Sequence, residues 1–538
     1  MNWNVAVIGS GLSALGAIKA LNKLGIKPIV IDWGEQLDHD RHFMAEKLAC
    51  KMPNEWSKQE RIVLNQNPTV KFVSAIPKKL SFGSDFFYGK SRNQAPIVSE
   101  GGAPPFSYAL GGLSEGWGAA VLPPQDCDLS DWPVGADELS EYCKKVLTGM
   151  PYSACDDGLS INFPLLNFGT ESLRLSRASN QLLDSMNRAS ILKKDEVAFG
   201  QARLLVNATT VEGSKGCKYC GQCMSGCVYK SIYKAGDEIT ALHHKGEIEY
   251  LSGNLVDSLT EEGNKVIVRY FDADGKMCSR EFDKVFLAAG AVNSSRVVLN
   301  SFGMFNQEVH LKTRGGFVMP VFSLRKLPID WPDCNTQPGL FLELKGKNLE
   351  HWVHVQVSTE NELLLQMLGV QGSGQGIFAR MKRFIASHVF LIFVNYHSDH
   401  AGHYKLWLTP SSTTASTNHL HTKHRILAPQ FMVLWSSCLK LFGVFAKIGC
   451  LPLFPFVRLN GGAYHVGGTL PMKAKPSGML EADVLGRVGG WQNIHVVDTS
   501  VFPSLPGTTV GLLTMANAYR IVEKSDWTNL TRRVDDSI

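Results

Sequence analysis

The apolar positions at the start of the chain predict a strand, a turn and a helix in close succession. Residues 5–8 form an uninterrupted apolar run, which suits a strand buried in a parallel sheet. A helical segment follows as far as Leu21, and residues 27–31 form a second run that suits a strand. This order predicts a βαβ unit, and therefore a protein of the α/β class with a parallel sheet near its N-terminus.

Three apolar stretches in the second half of the chain have the lengths of secondary-structure elements. Residues 363–367 and 389–394 are short runs, and they predict strands of an antiparallel sheet that forms one wall of a pocket. Residues 431–456 form a longer stretch that Lys440 and Lys447 interrupt. An apolar helix of this kind can lie on a membrane surface, but such helices usually pack inside a domain. We therefore favour the interior position over membrane contact.

The composition is that of an ordinary globular protein. The 538 residues are enough for two or more domains with sizeable cores. A formal net charge of +5, without a dense Lys/Arg run that contains aromatic residues, argues against a nucleic-acid partner. The first four residues lack the basic region of a signal peptide, and no uncharged apolar stretch is long enough to span a bilayer. We therefore expect a cytoplasmic protein.

The turn between the first strand and the first helix carries the pattern G-x-G-x-x-A over residues 9–14. In such a turn Gly9 allows the sharp bend, Gly11 lets the backbone approach a pyrophosphate, and Ala14 allows close packing of helix on strand. The helix N-terminus favours phosphate, and Asp32 follows at the distance expected of a residue that binds ribose hydroxyls. A chance glycine turn is the alternative, but the flanking strands and Asp32 favour a nucleotide site. The pattern by itself does not separate FAD from NAD.

Further segments resemble the glucose–methanol–choline (GMC) oxidoreductases and occur in the order found in that family. They are residues 110–119, which read LGGLSEGWGA, and residues 131–133, 286–294 and 493–498. The first is similar to the family's GGxSxxWG segment, which lies along the flavin and helps to seat its isoalloxazine ring. The resemblance runs from residue 5 to about residue 524, and its middle part is weakly matched. It implies that the protein binds FAD.

The resemblance also implies which residues contact FAD and how the chain is divided. Besides Gly9, Gly11, Ala14 and Asp32, the contacts are Gly112, Ser114, Trp117, Gly118, Ala289, Gly290 and Asp498. The expected fold is a Rossmann-like FAD-binding domain of the α/β type, with a substrate domain built on an antiparallel sheet. The FAD-binding domain takes residues 1–135, 228–300 and 456–530, the substrate domain takes residues 136–216 and 301–455, and a cysteine loop takes residues 217–227.

A histidine near the C-terminus is the candidate for proton transfer. His465 lies in a glycine-rich run, and the resemblance implies that it is the general base of alcohol oxidation, with a hydride passing to flavin N5. Neutral imidazole suits this task, because its unperturbed pKa is near physiological pH. The family's second catalytic histidine or asparagine corresponds here to Thr509, or to Thr508 if the register differs by one residue. A threonine hydroxyl can hydrogen-bond a substrate oxygen, but it is too weak an acid or base to titrate.

Other histidines are interpreted as structural. His397, His400 and His403 have a spacing that can suggest a metal, but they lie between apolar runs, and we assign them to a polar hairpin. We interpret His495 as a strand residue.

Four of the twelve cysteines follow the pattern C-x2-C-x2-C-x3-C, namely Cys217, Cys220, Cys223 and Cys227. A reducing compartment argues against a disulfide framework. The spacing suits an iron–sulfur cluster better than zinc, which usually takes two separated C-x2-C pairs. Val228 stands where two-cluster ferredoxins have a proline, so we expect a single cluster of the 3Fe-4S or 4Fe-4S type. A cysteine-rich loop without a cluster is the alternative.

Catalytic subunits of FAD-dependent glucose and fructose dehydrogenases resemble this combination of flavin fold and cysteine-bound cluster. The resemblance favours a dehydrogenase that oxidises an alcohol group of a sugar or polyol-like small molecule. Its electrons would pass through the cluster to an external acceptor or an electron-transfer protein. A flavin-dependent sugar isomerase or epimerase and a non-catalytic redox partner are the alternatives.

Overall fold

The computed structural model describes residues 3–65, 79–167, 171–209, 215–346, 349–362, 364–365, 376–411, 417–426, 429–457 and 464–527. Its helices are α1 (Leu12–Lys23), α2 (His39–Ala49), α3 (Lys58–Asn65), α4 (Ala136–Leu147), α5 (Arg177–Arg188), α6 (Ala235–His244), α7 (Ala291–Ser301), α8 (Ile377–Ala386), α9 (Pro429–Ala446) and α10 (Gly511–Lys524). Its strands are β1 (Val5–Ile8), β2 (Ile29–Ile31), β3 (Ile97–Glu100), β4 (Val197–Gln201), β5 (Glu249–Leu251), β6 (Leu255–Glu262), β7 (Lys265–Phe271), β8 (Met277–Phe282), β9 (Lys284–Leu287), β10 (Val309–Thr313), β11 (Gly315–Ser323), β12 (Leu340–Gly346), β13 (Leu349–Ser358), β14 (Val389–Tyr396), β15 (His403–Thr409), β16 (His419–Arg425), β17 (Cys450–Pro452), β18 (Phe456–Val457), β19 (Val466–Gly467) and β20 (Ile494–Val496).

The apolar run at residues 5–8 becomes β1, the central strand of a parallel sheet. The order of the sheet is β20–β9–β1–β2–β5, and every pairing in it is parallel. β1 is buried along its whole length, as a strand covered on both faces must be. The predicted α/β class is therefore confirmed.

Helices α1 and α10 pack against each other beside this sheet and share its core. Gly16 makes the close approach of the two helices possible, because a Cβ at this position would lie only 2.2 Å from Met515 O. The N-terminus of α1 follows the glycine turn directly, so this contact fixes the direction in which the turn faces.

The predicted antiparallel sheet is present, and its two faces differ. Its order is β17–β11–β14–β13–β12–β4, with β18 also beside β11. One face is apolar and packs on α5 and α9. The other turns toward the parallel sheet, since Phe341 of β12 and Trp352 of β13 belong to the same buried cluster as α1 and α10.

Two smaller sheets complete the fold. One has the order β19–β10–β15–β16–β3, and the other has the order β6–β7–β8. β19 begins directly after His465 and pairs with β10, which joins the C-terminal segment to the middle of the chain. The strands of the parallel sheet come from separate parts of the chain, and the proposed domain boundaries stay a prediction.

One predicted strand is correct and another is wrong. Residues 389–394 lie in β14. Within the predicted strand at 363–367, the described residues Leu364 and Leu365 are helical, and the other three lie outside the described residues. Asn361 explains the difference, because its side chain accepts the N–H of Leu364 at 3.1 Å and its carbonyl accepts the N–H of Leu365 at 3.0 Å. These bonds close a helical turn.

The apolar stretch at residues 431–456 divides into α9, β17 and β18, and the expected interior position holds for only one side of α9. The buried side of this helix consists of Val433, Leu434, Leu441, Val444 and Phe445, which pack on the antiparallel sheet. The exposed side consists of Phe431, Met432, Trp435, Leu439 and Phe442. The sheet covers one side of the helix and no described element covers the other.

None of the helices in the described part of the chain is both long and apolar enough to cross a membrane. The cytoplasmic location stays a prediction.

Candidate active site

The glycine turn after β1 leaves open space at the N-terminus of α1. Gly9 has a φ of +100°, and a Cβ there would lie 2.5 Å from Ala288 O, so glycine is required. At Gly11 the nearest atom to such a Cβ would be Gly111 O, at 4.0 Å. The backbone of Gly11 therefore faces a gap that a pyrophosphate can occupy, at the positive end of the helix. Ala14 is buried in the core beside the same turn.

Asp32 follows β2 and lies beside this turn. Its carboxylate accepts hydrogen bonds from Ser10 Oγ and from Tyr250 OH, the latter at 3.1 Å. Burial raises the pKa of Asp32 to about 7, although both hydrogen bonds act in the opposite direction. A ligand that donates further hydroxyl groups would stabilise the charged carboxylate. The position and the chemistry of Asp32 therefore suit binding of a ribose.

Three more glycines extend the open surface of the turn. Gly112 has a φ of +58°, and a Cβ there would lie 3.4 Å from the Cα of Gly11, so the two backbones approach closely. At Gly118 and at Gly290 a Cβ would have no neighbouring atom within 4 Å. Ala289 is partly buried next to Gly290. These positions form a backbone-lined surface, which we call the cradle, and the absence of side chains there would allow the close approach of a dinucleotide such as FAD.

Polar contacts hold the segment 110–119 in place. Ser114 Oγ donates to Gly111 O at 2.6 Å and accepts from the N–H of Ala235 at 3.0 Å. Trp117 Nε1 donates to Tyr233 O at 2.7 Å. Both side chains therefore fix the segment against the start of α6. Their direct contact with FAD stays a prediction.

Asp498 is buried and accepts four hydrogen bonds from the protein. The donors are the N–H of Gly290 at 2.9 Å, Ser294 Oγ at 2.5 Å, the N–H of Ser500 at 2.9 Å and Ser500 Oγ at 2.6 Å. Burial raises the pKa of Asp498, while these donors favour its charged form. Asp498 thus fixes the turn that begins α7, and its effect on a bound flavin would pass through Gly290.

One arginine joins His465 to the loop that contains Thr509. The N–H of Arg314 donates to His465 O at 3.2 Å. The guanidinium of the same residue donates to Gly507 O at 3.2 Å and to Thr508 O. Arg314 therefore sets the spacing of two candidate catalytic segments that are distant in sequence. The sequence analysis missed it, because a single arginine before a strand forms no pattern.

The loop at residues 507–511 connects the contacts of Arg314 with Trp117, which is predicted to lie beside the isoalloxazine ring. Thr509 is buried, and its Oγ1 accepts from the N–H of Leu122 at 2.8 Å. Two residues later, a Cβ at Gly511 would lie 2.5 Å from the ring of Trp117. The histidine segment, the threonine loop and Trp117 are thus connected by direct contacts. The hydroxyl of Thr509 anchors a backbone, and its catalytic role stays a prediction.

The antiparallel sheet presents a polar row toward the parallel sheet. Glu343, His354 and Asn395 are neighbours across β12, β13 and β14. His354 Nδ1 lies 2.5 Å from Glu343 Oε1, and both side chains are fully buried. Burial holds the pKa of Glu343 well above its ordinary value and that of His354 well below, and Arg314 lowers the pKa of His354 further. Burial thus favours the uncharged forms of both side chains.

The second carboxyl oxygen of Glu343, Oε2, has no hydrogen-bond donor in the described part of the chain. Leaving a buried acceptor without a donor costs free energy. Such an atom in the wall of a binding site is therefore usually paired with a ligand or a water molecule. The sequence analysis missed Glu343 and His354, because only the pairing of two strands brings them together.

The four clustered cysteines are free thiols. Three of their sulfurs accept hydrogen bonds, Cys217 from Asn335 Nδ2 at 3.6 Å, Cys223 from the N–H of Thr336 at 3.4 Å, and Cys227 from the N–H of Ser231 at 3.3 Å. Burial raises the pKa of Cys223 to about 12, and the neighbouring thiols add to the shift. Thiolates here would need a cation, and hydrogen bonds to sulfur are typical of cysteines that bind iron.

The described cysteines do not gather three sulfurs around one position. Among the described residues, the group His351, His397 and Asp399 is the one that places three metal-binding atoms within 4.8 Å of one another, and no three cysteines do so. Tetrahedral zinc would hold its sulfurs about 4 Å apart, since a Zn–S bond is about 2.3 Å long. A cluster with several iron atoms separates its ligands further. The described cysteines thus form no tight group for a single ion, and an iron–sulfur cluster at this loop stays a prediction.

A buried lysine connects the cysteine loop with the flavin segment. Lys79 Nζ donates to Trp117 O at 2.9 Å. Burial lowers the pKa of Lys79 to about 8, while Cys223 and Cys227 act in the opposite direction, which places both sulfurs near this ammonium group. The cysteine loop therefore lies close to the predicted seat of the isoalloxazine ring.

The histidines after β14 do not form the metal group that their spacing can suggest. His403 lies on β15 and stacks on His310, while His397 stacks on His351 with 3.8 Å between ring centroids and 14° between planes. Stacked imidazoles are poorly oriented to bind one ion together, although His351, His397 and Asp399 place three metal-binding atoms within 4.8 Å of one another. His351 and His397 instead hydrogen-bond the carbonyls of residues 127 and 128. The predicted polar hairpin is wrong, because β14 and β15 belong to different sheets and do not pair with each other. The structural role of these histidines stays a prediction.

Comparison with known proteins agrees with this geometry. Residues 456–518 match the C-terminal domain of the family described as GMC oxidoreductase. Among solved structures, pyridoxine 4-oxidase from Mesorbium loti superposes with a TM-score of 0.59 at 15% sequence identity, over 97% of this chain and 99% of that chain. At this identity the likeness shows the fold alone. No curated protein sequence matches the chain. Residues 456–518, which contain His465 and Thr509, thus match the C-terminal domain of the GMC oxidoreductases, and this match supports an FAD-dependent oxidoreductase that acts on CH–OH groups.

Proposed function

We propose that the protein is a dehydrogenase for an alcohol group of a sugar or polyol-like molecule, with His465 as general base. Electrons would leave through an iron–sulfur cluster held by the cysteines at 217–227 and reach an external acceptor. The observation that carries the proposal is the Arg314 bridge, which holds the His465 segment and the 507–509 loop together. That loop leads into contact with Trp117.

The backbone cradle would hold FAD. Gly11 and Gly290 would face the pyrophosphate, Asp32 would accept from ribose hydroxyls, and Trp117 would lie beside the ring. When bound, FAD supplies a hydride acceptor.

His465 would take the hydroxyl proton of the substrate. Its carbonyl is fixed by the N–H of Arg314, and the residue directly precedes the paired strand β19, so its backbone position is determined on both sides. A general base must lie within hydrogen-bond reach of its proton, and such placement contributes about 10²–10⁴-fold to the rate.

The polar row on the antiparallel sheet would recognise a neutral substrate rich in hydroxyl groups. Burial favours the uncharged forms of Glu343 and His354, which would offer little attraction to a phosphate or carboxylate. The spare acceptor at Glu343 Oε2 suits a hydroxyl donor. These features support a sugar or polyol over an anionic substrate.

The cysteine loop would supply one-electron transfer next to the flavin. Three sulfurs already accept hydrogen bonds, and such bonds help to set the reduction potential of a cluster. Lys79 supports the proposed route, because it contacts Trp117 and lies near Cys223 and Cys227.

The proposed base is tested with the variant His465→Asn. We expect anaerobic flavin reduction by substrate to fall by about 10²–10⁴-fold, with FAD content unchanged. The matched control is His310→Asn, an exposed histidine on β10, the strand that pairs with β19, and its rate should equal that of the unmodified protein. Equal rates for both variants would refute the role of His465.

The electron route is tested by anaerobic purification with iron and sulfide analysis and paramagnetic-resonance spectroscopy. We expect a cluster signal that Cys220→Ser removes and that Cys278→Ser, a change outside the loop, leaves intact. Reduced flavin that persists until an acceptor is added supports a dehydrogenase. Conversion of the substrate into an isomer without any acceptor would instead show an isomerase or epimerase.

A further inference from the structure

The protein exposes many large apolar side chains in one region of its surface. They are Leu324 after β11, Ile377, Phe378, Met381 and Phe384 on α8, Phe431, Met432, Trp435, Leu439 and Phe442 on α9, and Leu451, Leu453, Phe454 and Phe456 around β17 and β18. We call this set the apolar rim. It holds more than half of the large apolar side chains that are exposed in the described part of the chain. Soluble proteins rarely expose such groups together without a binding function.

The members of the apolar rim are neighbours around one edge of the antiparallel sheet. β17 is the edge strand, and Leu451 pairs with Phe322 of β11. The ring of Phe322 lies 6.3 Å from that of Phe384 on α8. α9 packs on the opposite face of the same sheet and contacts β17. α8 and α9 therefore flank the edge from its two sides.

The sequence segment that contains most of the apolar rim is basic. Between residues 363 and 480 the sequence contains eleven lysines and arginines, and Asp399 is its single acidic residue. Arg380, Lys382 and Arg383 are exposed on α8 between its apolar side chains. On α9 Lys440 lies 4.0 Å from Glu196, which comes from another part of the chain.

Further basic residues lie at the sheet edge itself. Arg325 and Lys326 are exposed directly after Leu324, and Lys447 is exposed between α9 and β17. Apolar side chains surrounded by lysine and arginine have the composition of helices that lie in the interface of anionic membranes.

We propose that the apolar rim docks on the surface of a lipid bilayer that contains anionic lipids. α8, α9 and the β17–β18 segment would insert their apolar side chains at the level of the headgroups, and the basic residues would contact lipid phosphates. A symmetric contact between two copies of the chain fits less well, because it would bring like charges together.

Docking would also orient the active site. α8 packs on Phe322, which shares a sheet face with Val389 and with the polar row that contains Asn395. Asn395 is six residue steps along β14 from Val389, which corresponds to about 20 Å. The α8 part of the apolar rim would therefore lie about 20 Å along β14 from the wall that is proposed to bind substrate.

The test is sedimentation of the full-length, FAD-loaded protein with vesicles of phosphatidylcholine, with and without phosphatidylglycerol. We expect binding to the anionic vesicles, weaker binding to the neutral ones, and a loss of binding of about tenfold or more in two double variants. These are Phe378→Glu with Met381→Glu on α8, and Trp435→Glu with Leu439→Glu on α9. The matched control is Phe43→Glu on α2, which removes an equally exposed phenylalanine outside the apolar rim.

A second measurement does not depend on surface charge changes. Lipids with brominated acyl chains should quench Trp435, so the quenching should be larger in the unmodified protein than in Trp435→Phe. The FAD content and the oxidation rate with a soluble acceptor should be unchanged in all variants, which separates a failure of docking from a failure of the proposed enzyme.

Three results would overturn the proposal. The first is an absence of vesicle binding, and the second is equal binding by the control and the double variants. The third is a dimer, seen by light scattering, that the double variants dissociate while vesicles bind none of the proteins. That result would assign the apolar rim to a second copy of the chain.

Discussion

At the scale of single residues, the candidate site depends on polar groups that hold distant backbone segments. Arg314 joins residue 465 to residues 507 and 508, and Thr509 anchors Leu122. Each of these contacts involves a backbone carbonyl or N–H group. We therefore expect its first effect to be on the position of the segment it holds, and its effect on the reaction to follow from that position. A substitution at one of these residues can therefore change the free energy of unfolding, the rate of flavin reduction, or both.

Thr509→Val tests which of these effects applies to the threonine. The variant leaves the buried N–H of Leu122 without its acceptor, which should lower the free energy of unfolding by about 1–3 kcal/mol. We expect the rate of flavin reduction to change by less than about tenfold, because His465 is the proposed base. Denaturant unfolding and anaerobic stopped-flow measure the two quantities. A rate loss of about a hundredfold with full FAD content would show that the hydroxyl contacts the substrate.

Asp32 should make the stability of the FAD-free protein depend on pH. Its pKa in the fold is about 7, whereas an unfolded aspartate titrates near 4. Between these values the folded state retains a proton that the unfolded state releases, so the contribution of Asp32 to stability falls as the pH rises from about 4 to about 7.

Asp32→Asn removes this titration. Unfolding curves of the two FAD-free proteins at several pH values should therefore show a stability difference that shifts in favour of the variant as the pH rises. A difference independent of pH would mean that Asp32 titrates normally in the fold.

At the scale of elements, the position of the nucleotide cradle depends on how closely α1 and α10 approach. The N-terminus of α1 forms one side of the cradle, and α10 begins at Gly511 beside Trp117. The contact between the helices therefore positions both the phosphate end and the ring end of the proposed flavin site.

Gly16→Ala should disrupt this contact. Its Cβ would lie 2.2 Å from a backbone oxygen of Met515, and a backbone atom cannot move aside as a side chain can. We expect a loss of about 3 kcal/mol or more in stability together with weaker FAD binding. Gly443→Ala in α9 is the control, because its Cβ would meet no atom within 4 Å and should stabilise the helix by about 0.5–1 kcal/mol. Thermal unfolding of both variants gives the comparison, and equal melting temperatures would contradict it.

At the scale of the whole molecule, the candidate site lies where the two large sheets face each other. The parallel sheet supplies the cradle, and the antiparallel sheet supplies the row of Glu343, His354 and Asn395. FAD should therefore stabilise the entire fold, since it would bind the folded state alone.

Gly11→Ala provides a test at this scale. The new Cβ would have its nearest neighbour at 4.0 Å, so the FAD-free protein should unfold within about 1 kcal/mol of the original. The same Cβ would occupy the approach of the pyrophosphate, and we expect FAD to bind at least about tenfold more weakly. FAD at a hundred times its Kd should raise the free energy of unfolding of the original protein by about 2.7 kcal/mol. Calorimetry of both proteins with added FAD measures their stability and their affinity for FAD. Equal affinity of the variant and the original protein would show that the pyrophosphate lies elsewhere.

Local sequence determined the parts of this protein that depend on near neighbours. The apolar run at residues 5–8, the glycines of the following turn and Asp32 predict a βαβ nucleotide unit, because strand burial and tight turns are properties of short segments. The cysteine spacing identifies a metal-binding candidate for the same reason.

Only the tertiary structure decided which distant residues meet. Arg314 gains its role from contacts with two segments far along the chain, and Glu343 gains its partner His354 from the register of β12 and β13. The exposure of one side of α9 depends on which neighbour covers the other. Such facts follow from the packing of sheets and helices, and no local pattern encodes them, because burial is a property of the whole fold.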